Sequence, residues 1–309
     1  MFTQWNYLFK PHGFSSNDYF SYELYRRSID EAKTFVSSYF NKCIVKAARP
    51  NCTVEQTACL TNKVRFNQTF PDYVKRDYLF IKTCTFSEFE KFIKKHPKFF
   101  GKLTNASWGR GAGIFEIKED INNIFEQFKS ENRLVEELVN QHESIDEFNP
   151  DTLNTIRIST WVTLDNEVVI TYAAIRFGRK GSIIDNYHGG GVASAIDIQT
   201  GILKTKGIDM RFIRYDAHPD TGKKFIGFQI PFWEKVLKAV EESALKVRHL
   251  RHVGWDVAIT KTGEVEFIEA NGRPNFDFAQ VKTQVGLRPF FEKQVNMFEE
   301  KFAKDGTLD

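Results

Sequence analysis

A stretch in the last fifth of the chain, GWDVAITKTGEVEFIEANGRPN (254–275), has the pattern of a β-hairpin interrupted by polar residues. Two runs rich in apolar residues flank Thr-Lys-Thr-Gly, a sequence typical of a tight turn. If the second threonine and the glycine form a two-residue loop, Asp256 pairs with Glu269 across the hairpin. Asn271 then shares their face, because side chains alternate along a strand. The hairpin is therefore expected to gather two carboxylates and an amide in one place.

Two carboxylates that face each other on a sheet repel unless a positive charge lies between them. A hard cation with oxygen ligands, Mg²⁺ above all and Mn²⁺ as the alternative, could supply that charge. The ordinary alternative is a solvated sheet face that carries polar residues. The neighbouring Trp255 and the broken alternation of the second strand favour a packed metal site. On this stretch alone both interpretations stay open.

A glycine-rich segment, FFGKLTNASWGRGAGIFEI (99–117), indicates a strand that delivers Lys102 to a loop, followed by a second strand. Gly109, Gly111 and Gly113 would let backbone amides approach phosphate oxygens. The pattern is neither a P-loop nor a dinucleotide fingerprint. Alone it indicates only a tight turn. Together with a metal site it predicts a nucleotide-phosphate site.

A third segment, NRLVEELVNQH (132–142), indicates an apolar strand that ends at Glu136 and Glu137. Backbone groups at the end of such a strand could bind an adenine ring. A following carboxylate, Glu143, could accept the ribose hydroxyls. The alternative is a strand that merely ends in acidic residues.

Helix and strand patterns follow each other irregularly along the chain. Residues 17–46 are rich in aromatic side chains and predict one or two amphipathic helices with Asn17 as N-cap. A helix is expected to begin near Asn62. Residues 157–179 predict a hairpin, and residues 231–247 predict a helix that begins at a proline. This order predicts an α+β architecture and argues against a doubly wound parallel sheet.

Composition excludes several classes of protein. The chain has 309 residues, 41% of them hydrophobic, and a formal net charge of only +3, which argues against a nucleic-acid partner bound by a basic face. Its apolar runs are shorter than the roughly 18 residues that a membrane span needs. No secretory pattern precedes the first helix, and four irregularly spaced cysteines do not predict a zinc site. A cytoplasmic location is therefore expected.

Six short stretches, taken in order, resemble the ATP-grasp superfamily and, more narrowly, its sugar-transfer-associated group. They are HGFSSNDYFSYELY, TNKVRFNQTF, NQHESIDEFNPDTLNTIRIST, DNYHGGGVASAID, HPDTG and VGWDVAI…FIEAN. The resemblance extends over roughly residues 10–290 and implies an ATP-grasp fold, in which two α+β lobes hold the nucleotide between them. It implies three segments: an aromatic-rich helical N-terminal segment (1–60), a small α+β lobe with a phosphate-binding loop (61–135), and a C-terminal lobe with the metal site (136–309).

The resemblance also implies which residues bind ATP and Mg²⁺. The phosphate-binding candidates are Lys63, Lys102, Ser107, Gly109, Gly111 and Gly113. The adenine hinge and the ribose ligand would be Glu136, Glu137, Leu138, Val139 and Glu143. The metal ligands would be Asp256, Glu269 and Asn271. The chain departs from the common family pattern where Leu103 replaces a proline and where Ser-Trp-Gly replaces a more glycine-rich run.

The implied activity is that of an ATP-dependent carboxylate–amine ligase with an acyl-phosphate intermediate. Besides Lys102, Arg176 and Arg157 are the catalytic candidates, since cations must stabilise the transferring phosphoryl group. Arg157 could instead brace the strand end beside Asn154. The substrate-binding candidates are Asn186, His188, His218 and Arg273. Each histidine could equally be structural, and Arg273 could serve only to brace its loop.

The group's name suggests a uronic or other sugar acid joined to an amino acid or amine during surface-polysaccharide synthesis. The first alternative is a ligase that forms peptide bonds. The second is a nucleotide-binding module without turnover. The expected partners are therefore small carboxylate and amine substrates, and a homodimer is an open possibility.

Overall fold

Antiparallel β-sheets organise the part of the chain that the computed structural model describes, which is residues 2–49, 52–106, 111–118, 120–182, 185 and 190–305. The helices are α1 (Phe2–His12), α2 (Ser16–Ser21), α3 (Ile29–Lys33), α4 (Ser38–Ala47), α5 (Val54–Thr61), α6 (Lys63–Thr69), α7 (Phe86–Lys95), α8 (Ile121–Ser130), α9 (Glu143–Asp146), α10 (Trp233–Lys246), α11 (Phe276–Thr283) and α12 (Arg288–Asp305). The strands are β1 (Tyr78–Phe80), β2 (Lys98–Leu103), β3 (Gly113–Glu116), β4 (Arg133–Glu137), β5 (Ile156–Val162), β6 (Val168–Phe177), β7 (Val192–Ala195), β8 (Gly207–Ile208), β9 (Arg214–Tyr215), β10 (His252–Ile259) and β11 (Val265–Asn271). The mixed, irregular order confirms the predicted α+β class.

The smaller sheet, as described, has four strands in the order β1–β4–β2–β3. Helices α7 and α8 pack on it through phenylalanines: Phe89 contacts Phe125, and Phe92 contacts Phe99 of β2. Helix α7 begins where it does because Thr85 and Glu88 form a reciprocal capping box. The sheet ends at Glu137, just beyond the lobe boundary predicted at residue 135.

The larger sheet, as described, has seven strands in the order β11–β10–β5–β6–β7–β8–β9. Its main core lies on one face, where α10 packs and where Phe66 of α6 is also buried. Helix α6 therefore shares the core of the larger sheet, although the sequence assigned it to the small lobe. On the other face, Trp161 packs against α4, α11 and α12. The predicted hairpin over 157–179 is confirmed as β5 and β6, and the predicted helix over 231–247 as α10.

The N-terminal segment differs from the expectation of one or two helices over residues 17–46. It forms short helices because serines interrupt it: Ser15, Ser28 and Ser37 each accept a backbone N–H at the start of a new helix. The prediction of Asn17 as N-cap is wrong, since Asn17 lies inside α2. The segment packs on the larger sheet's side of the molecule, beside Val281 of α11.

The hairpin of β10 and β11 pairs Asp256 with Glu269, as predicted. The predicted two-residue loop is wrong, because Thr260 N donates to Glu264 O and encloses three residues ending at Gly263. The longer loop would shift the register by one residue. A β-bulge between Asp256 and Val257 shifts it back. The pairing therefore depends on two irregularities that cancel.

The two sheets are joined by residues 138–142. The N–H of His142 donates to the carbonyl oxygen of Ile259, and Gln141 forms a bridge with Thr260. The chain thus passes from the end of β4 directly to the end of the β10–β11 hairpin. In the described part of the chain, the helices all fall short of the length and apolarity that crossing a bilayer requires.

Candidate active site

The polar residues of the larger sheet share one face because they alternate with core residues. Ile156 and Ile158 point into the main core, so Arg157 between them points to the opposite face. Arg176 alternates in the same way with Ile175 and Phe177. Asp256 lies between two core residues of β10 and directly opposite Arg157. The strand pattern therefore brings an acid and two arginines together.

Asp256 is almost fully buried, and both arginines bind its carboxylate. Arg157 Nη2 lies 2.8 Å from Asp256 Oδ2, and Arg157 Nε donates to Oδ1. Arg176 Nη2 lies 3.0 Å from Oδ2. The alternative that Arg157 braces the strand end with Asn154 is wrong, since the Asn154 side chain instead bonds Gln141. The arginines supply positive charge that the facing carboxylates require.

The two facing carboxyls differ in their protonation behaviour. Burial alone would raise the pKa of Asp256, but the Arg157 and Arg176 guanidiniums outweigh it and hold that pKa below its usual range. Burial and the Asp256 charge raise the pKa of Glu269, and the same arginines only partly oppose this. Glu269 is thus the carboxyl whose charge is least compensated, and a cation bound there would be favoured.

The three predicted metal ligands, Asp256, Glu269 and Asn271, occupy adjacent positions on the hairpin. Asn271 pairs with Gly254, two positions along from the Asp256–Glu269 pair, and its side chain is exposed. The available donors are carboxylate and amide oxygens, which suit Mg²⁺. The residues present therefore fit a magnesium ion, and their role as its ligands stays a prediction.

Lys102 and Lys63 approach from the smaller sheet and from α6. Lys102 is 6% exposed, and its Nζ lies 2.6 Å from Glu136 Oε2. Lys63 opens α6, as predicted, because Asn62 caps the helix by accepting two backbone N–H groups. Lys63 Nζ donates to the carbonyl oxygen of Ala106 at 2.5 Å, next to the predicted phosphate loop.

Both ammonium groups are electrostatically linked to the metal-site carboxyl. Burial lowers the pKa of Lys63, and the charges of Glu269 and Glu136 oppose the shift. Burial likewise lowers the pKa of Lys102, against the charges of Glu136 and Glu269. The two predicted phosphate lysines and the predicted metal carboxyl therefore belong to one charged cluster.

The predicted phosphate loop is described only in part, since Ser107 and Gly109 lie outside the described residues. Gly111 has a φ of +67°, and an added Cβ would crowd Leu103. Its carbonyl oxygen accepts from Arg133 Nη1 at 2.6 Å. Gly113 begins β3 opposite Gly101. The second half of the loop is therefore anchored between neighbouring strands.

The predicted adenine hinge lies at the junction of the two sheets. Glu136 is buried in ion pairs, whereas Glu137 Oε2 accepts the N–H of Asp77 at 3.1 Å. Leu138 and Val139 follow and are half-buried. Glu143 is exposed to solvent at the start of α9, so a ribose could approach its carboxylate. The hinge and ribose roles stay predictions.

The four substrate candidates fare differently. Asn186 and His188 lie outside the described residues. His218 is 1% exposed, and its ring nitrogens lie 2.9 Å from Gly178 O and 3.3 Å from Thr221 Oγ1, which favours the structural alternative. Its role as a substrate contact stays a prediction. Arg273 is exposed just past Asn271 and stays a candidate.

Sequence reasoning missed three buried polar residues of this region. Arg76 binds Glu136, and its partners are too distant in sequence to be inferred. Asp185 accepts the Thr155 N–H at 2.8 Å and lies 3.4 Å from Arg176 Nε. Its position at the head of DNYHGGG was the available signal. Tyr172, whose pKa burial raises to about 12 beside Arg157, gave no signal because it resembles any strand tyrosine.

Comparison with known proteins supports the fold. D-alanyl-alanine synthetase A from Vibrio cholerae O1 biovar eltor str. N16961 superposes with a TM-score of 0.52 at 13% identity, covering 82% of this chain and 68% of that one. An ADP complex of N5-carboxyaminoimidazole ribonucleotide synthetase gives 0.45 and 11%, covering 71% and 46%. The ATP-grasp ligase PsnB with minimal precursor, Mg and ADP gives 0.47 and 14%, covering 80% and 61%.

The chain spans about half the length of the N5-carboxyaminoimidazole ribonucleotide synthetase and about two thirds of the length of the other two proteins. The likeness to D-alanyl-alanine synthetase A, at 13% identity, establishes the fold alone. Among curated protein sequences, none matches this chain. The sequence model of one family does match it, over residues 31–296, and this chain belongs to that family, the sugar-transfer associated ATP-grasp proteins.

Proposed function

We propose that this chain is an ATP-dependent carboxylate–amine ligase that forms an amide through an acyl phosphate. The observation that carries the proposal is the pairing of Asp256 with Glu269 on a sheet face where Arg157 and Arg176 bind the Asp256 carboxylate. The charges of Lys63 on α6 and Lys102 on β2 act on the same Glu269 carboxyl. Such a concentration of cations beside carboxylates suits the polyphosphate of a nucleotide and a divalent cation.

The proposed first step transfers the γ-phosphoryl group of ATP to a carboxylate oxygen. The bond between γ-phosphorus and the bridging oxygen breaks, and ADP leaves. Charge spread over the transferring oxygens must be stabilised, which Lys63, Lys102 and Arg176 can do with preset positive groups. A magnesium ion held by Asp256 and Glu269 would neutralise further phosphate charge.

In the second step the amine nitrogen attacks the acyl carbon. The amide bond forms, phosphate leaves with one of the original carboxyl oxygens, and the amine loses a proton. The proposed contacts to substrate are Arg273, which is exposed beside the hairpin, together with Asn186 and His188. For the acid we propose a uronic or related sugar acid, joined to an amino acid or amine in surface-polysaccharide synthesis. The family's association with sugar transfer is what supports this choice.

The test is ADP release by the purified chain with ATP, Mg²⁺ and pools of sugar acids, amino acids and amines. We expect release that requires both an acid and an amine, with a loss of at least about 100-fold in Glu269→Gln, since the metal site loses a charge. Glu264→Gln is the matched control, because Glu264 lies on the same hairpin, directly after its loop, and is exposed. Acid- and amine-independent release, or equal activity in both variants, would contradict the proposal.

The same assay separates the alternatives. Stimulation by pairs of amino acids or by peptides, without any sugar acid, would identify a ligase that forms peptide bonds. Nucleotide binding without turnover on any pair would favour a binding module. The presence of Lys63, Lys102, Asp256, Glu269 and Asn271 together supports a catalytic site, since a module that only binds nucleotide would not need all of them.

A further inference from the structure

Arg76 lies at the centre of a buried charge network between the two sheets. It is located between α6 and β1, and its side chain is 4% exposed. Arg76 Nη2 lies 2.8 Å from Glu136 Oε1 of β4, and Nη1 lies 2.5 Å from Glu266 Oε1 of β11. Nη1 also donates to the carbonyl oxygen of Phe267 at 2.6 Å. One guanidinium therefore joins the nucleotide-side strand to the strand that carries Glu269.

Each oxygen of Glu136 has a separate assignment. Oε2 accepts from the Lys102 ammonium at 2.6 Å. Oε1 accepts from Arg76 and from Asn67 Nδ2, the latter at 3.1 Å. Since Arg76 and Asn67 hold Oε1, the carboxylate presents only its other oxygen to Lys102. Without Arg76, the Glu136 carboxylate could rotate, and the Lys102 ammonium could then shift to bind both of its oxygens.

We propose that Arg76 is a positioning residue for the nucleotide site. It fixes the Glu136 carboxylate against the hairpin strand and thereby sets the position from which the Lys102 ammonium contacts phosphate. Glu266 is the anchor of this arrangement. Its carboxylate also accepts the Lys75 N–H at 3.1 Å, so the anchor is itself held by the backbone. The four charges, two positive and two negative, balance inside the protein, which permits their burial.

The proposal makes a claim that mere structural bracing does not. A brace would change the free energy of unfolding and leave nucleotide affinity alone. A positioning residue that acts through Lys102 changes nucleotide affinity, and its effect depends on Lys102 being present. The inference rests on the proposed function, because it requires that Lys102 contacts the nucleotide.

The test uses isothermal titration of a non-hydrolysable ATP analogue with Mg²⁺. The variant Arg76→Met with Glu266→Gln removes one charge of each sign and keeps an acceptor for the Lys75 N–H. We expect its Kd to rise about tenfold, roughly 1.4 kcal/mol. The matched control is Lys75→Met with Glu264→Gln, an ion pair at 2.9 Å between the same two segments, whose side chains are 53% and 48% exposed. The control should bind within about twofold of the wild type.

Lys102→Met is introduced into the wild type and into the Arg76 variant, and the four Kd values form a double-mutant cycle. We expect Lys102→Met to weaken binding much less in the Arg76 variant than in the wild type, because the ammonium is already displaced there. Strict additivity of the two effects, or an unchanged Kd in the Arg76 variant, overturns the inference.

Should the Arg76 variant not fold, Arg76→Lys takes its place. A single ammonium cannot satisfy both carboxylates as the guanidinium fork does, so an intermediate Kd is expected and an unchanged one overturns the inference. A wild type that binds no nucleotide would overturn the proposed function as well. A wild type that binds while the variants bind equally well would overturn the role of Arg76 alone.

Discussion

Asp256 and Glu269 face each other across one hairpin, yet their surroundings give them different tasks. Asp256 is committed to Arg157 and Arg176, which hold it ionised. Burial and the charge of Asp256 both disfavour the ionised form of Glu269 and raise its pKa. A bound cation would therefore stabilise the charge of Glu269 more than that of Asp256, which already binds two arginines. This division explains why Glu269 is the position to change in an activity test.

Glu136 makes a pH-dependent contribution to stability. Burial pushes its pKa up, but Arg76 and Lys102 outweigh burial and lower the pKa from 4.5 to about 2. As the pH falls, Glu136 therefore binds a proton in the unfolded chain before it does so in the folded chain. The stabilisation is fully present above about pH 4.5 and is lost as the pH falls towards about 2.

We accordingly expect Glu136→Gln to unfold with a free energy about 3 kcal/mol below wild type near pH 7, since two buried cations lose a partner. The difference should narrow between about pH 4.5 and about pH 3, where wild type begins to lose the same contribution. Urea unfolding followed by circular dichroism at several pH values measures it. A difference that stays constant across this range would show that Glu136 is not held ionised.

Single residues were predictable where a motif fixes their spacing. The pairing of Asp256 with Glu269 could be predicted because one hairpin places the two residues at a short separation in sequence. Arg76 could not, because Glu136 and Glu266 come from strands that meet only in the folded chain. The buried setting of His218 could not be predicted for the same reason, since its aromatic surroundings are distant in sequence.

The β10–β11 hairpin depends on its loop. Gly263 has a φ of +76°, and an added Cβ would collide with the Phe232 ring. Gly222 has nearly the same φ, +72°, with nothing near the added atom. The two glycines therefore separate the backbone requirement from the packing requirement.

We expect Gly222→Ala to lower the free energy of unfolding by about 1 kcal/mol, the cost of a left-handed conformation for alanine. Gly263→Ala should cost up to about 1 kcal/mol more, because the methyl group must displace the tip of the partly exposed Phe232 ring. Urea unfolding of both variants measures the difference. Equal losses would show that Phe232 does not pack on the loop as described.

Elements were predictable where their signals are local. The helix near Asn62 follows from a capping side chain, and the hairpin over 157–179 follows from alternation within one short stretch. The separate N-terminal helices could not be predicted, because Ser28 and Ser37, which cap new helices in the structure, lie within one continuous aromatic-rich stretch of sequence. The loop and bulge of the β10–β11 hairpin cancel each other, so counting residues gave the correct pair for an incorrect reason.

At the scale of the whole molecule, the N-terminal segment is tied to the C-terminal helices by a buried amide. Gln280 is 0% exposed, and its Oε1 accepts the N–H groups of Val36 at 2.8 Å and Leu287 at 3.1 Å. Its Nε2 donates to the Val36 carbonyl oxygen at 3.3 Å. One side chain therefore fastens the helical segment to the lobe that carries the hairpin. Neither the partner nor the packing was predictable, because the contact joins segments far apart in sequence.

We expect Gln280→Leu to leave these backbone groups unsatisfied and to lower the free energy of unfolding by about 2–4 kcal/mol. The N-terminal segment should then be cleaved sooner in limited proteolysis, while the exposed Gln199→Leu should leave the cleavage pattern unchanged. Nucleotide binding should persist, since Gln280 bonds Val36 and Leu287 and not the proposed site residues within the described part of the chain. An unchanged cleavage pattern in Gln280→Leu would contradict this role.

The central claim is that the charged cluster around Glu269 activates a carboxylate as an acyl phosphate. The most direct test follows the oxygen atoms. An acid substrate found in the ADP-release assay is labelled with heavy oxygen in its carboxyl group, and the phosphate released is analysed by mass spectrometry. The account predicts one labelled oxygen in each phosphate formed with the amide. Amide formation with unlabelled phosphate, or with AMP and pyrophosphate in place of ADP, would contradict it.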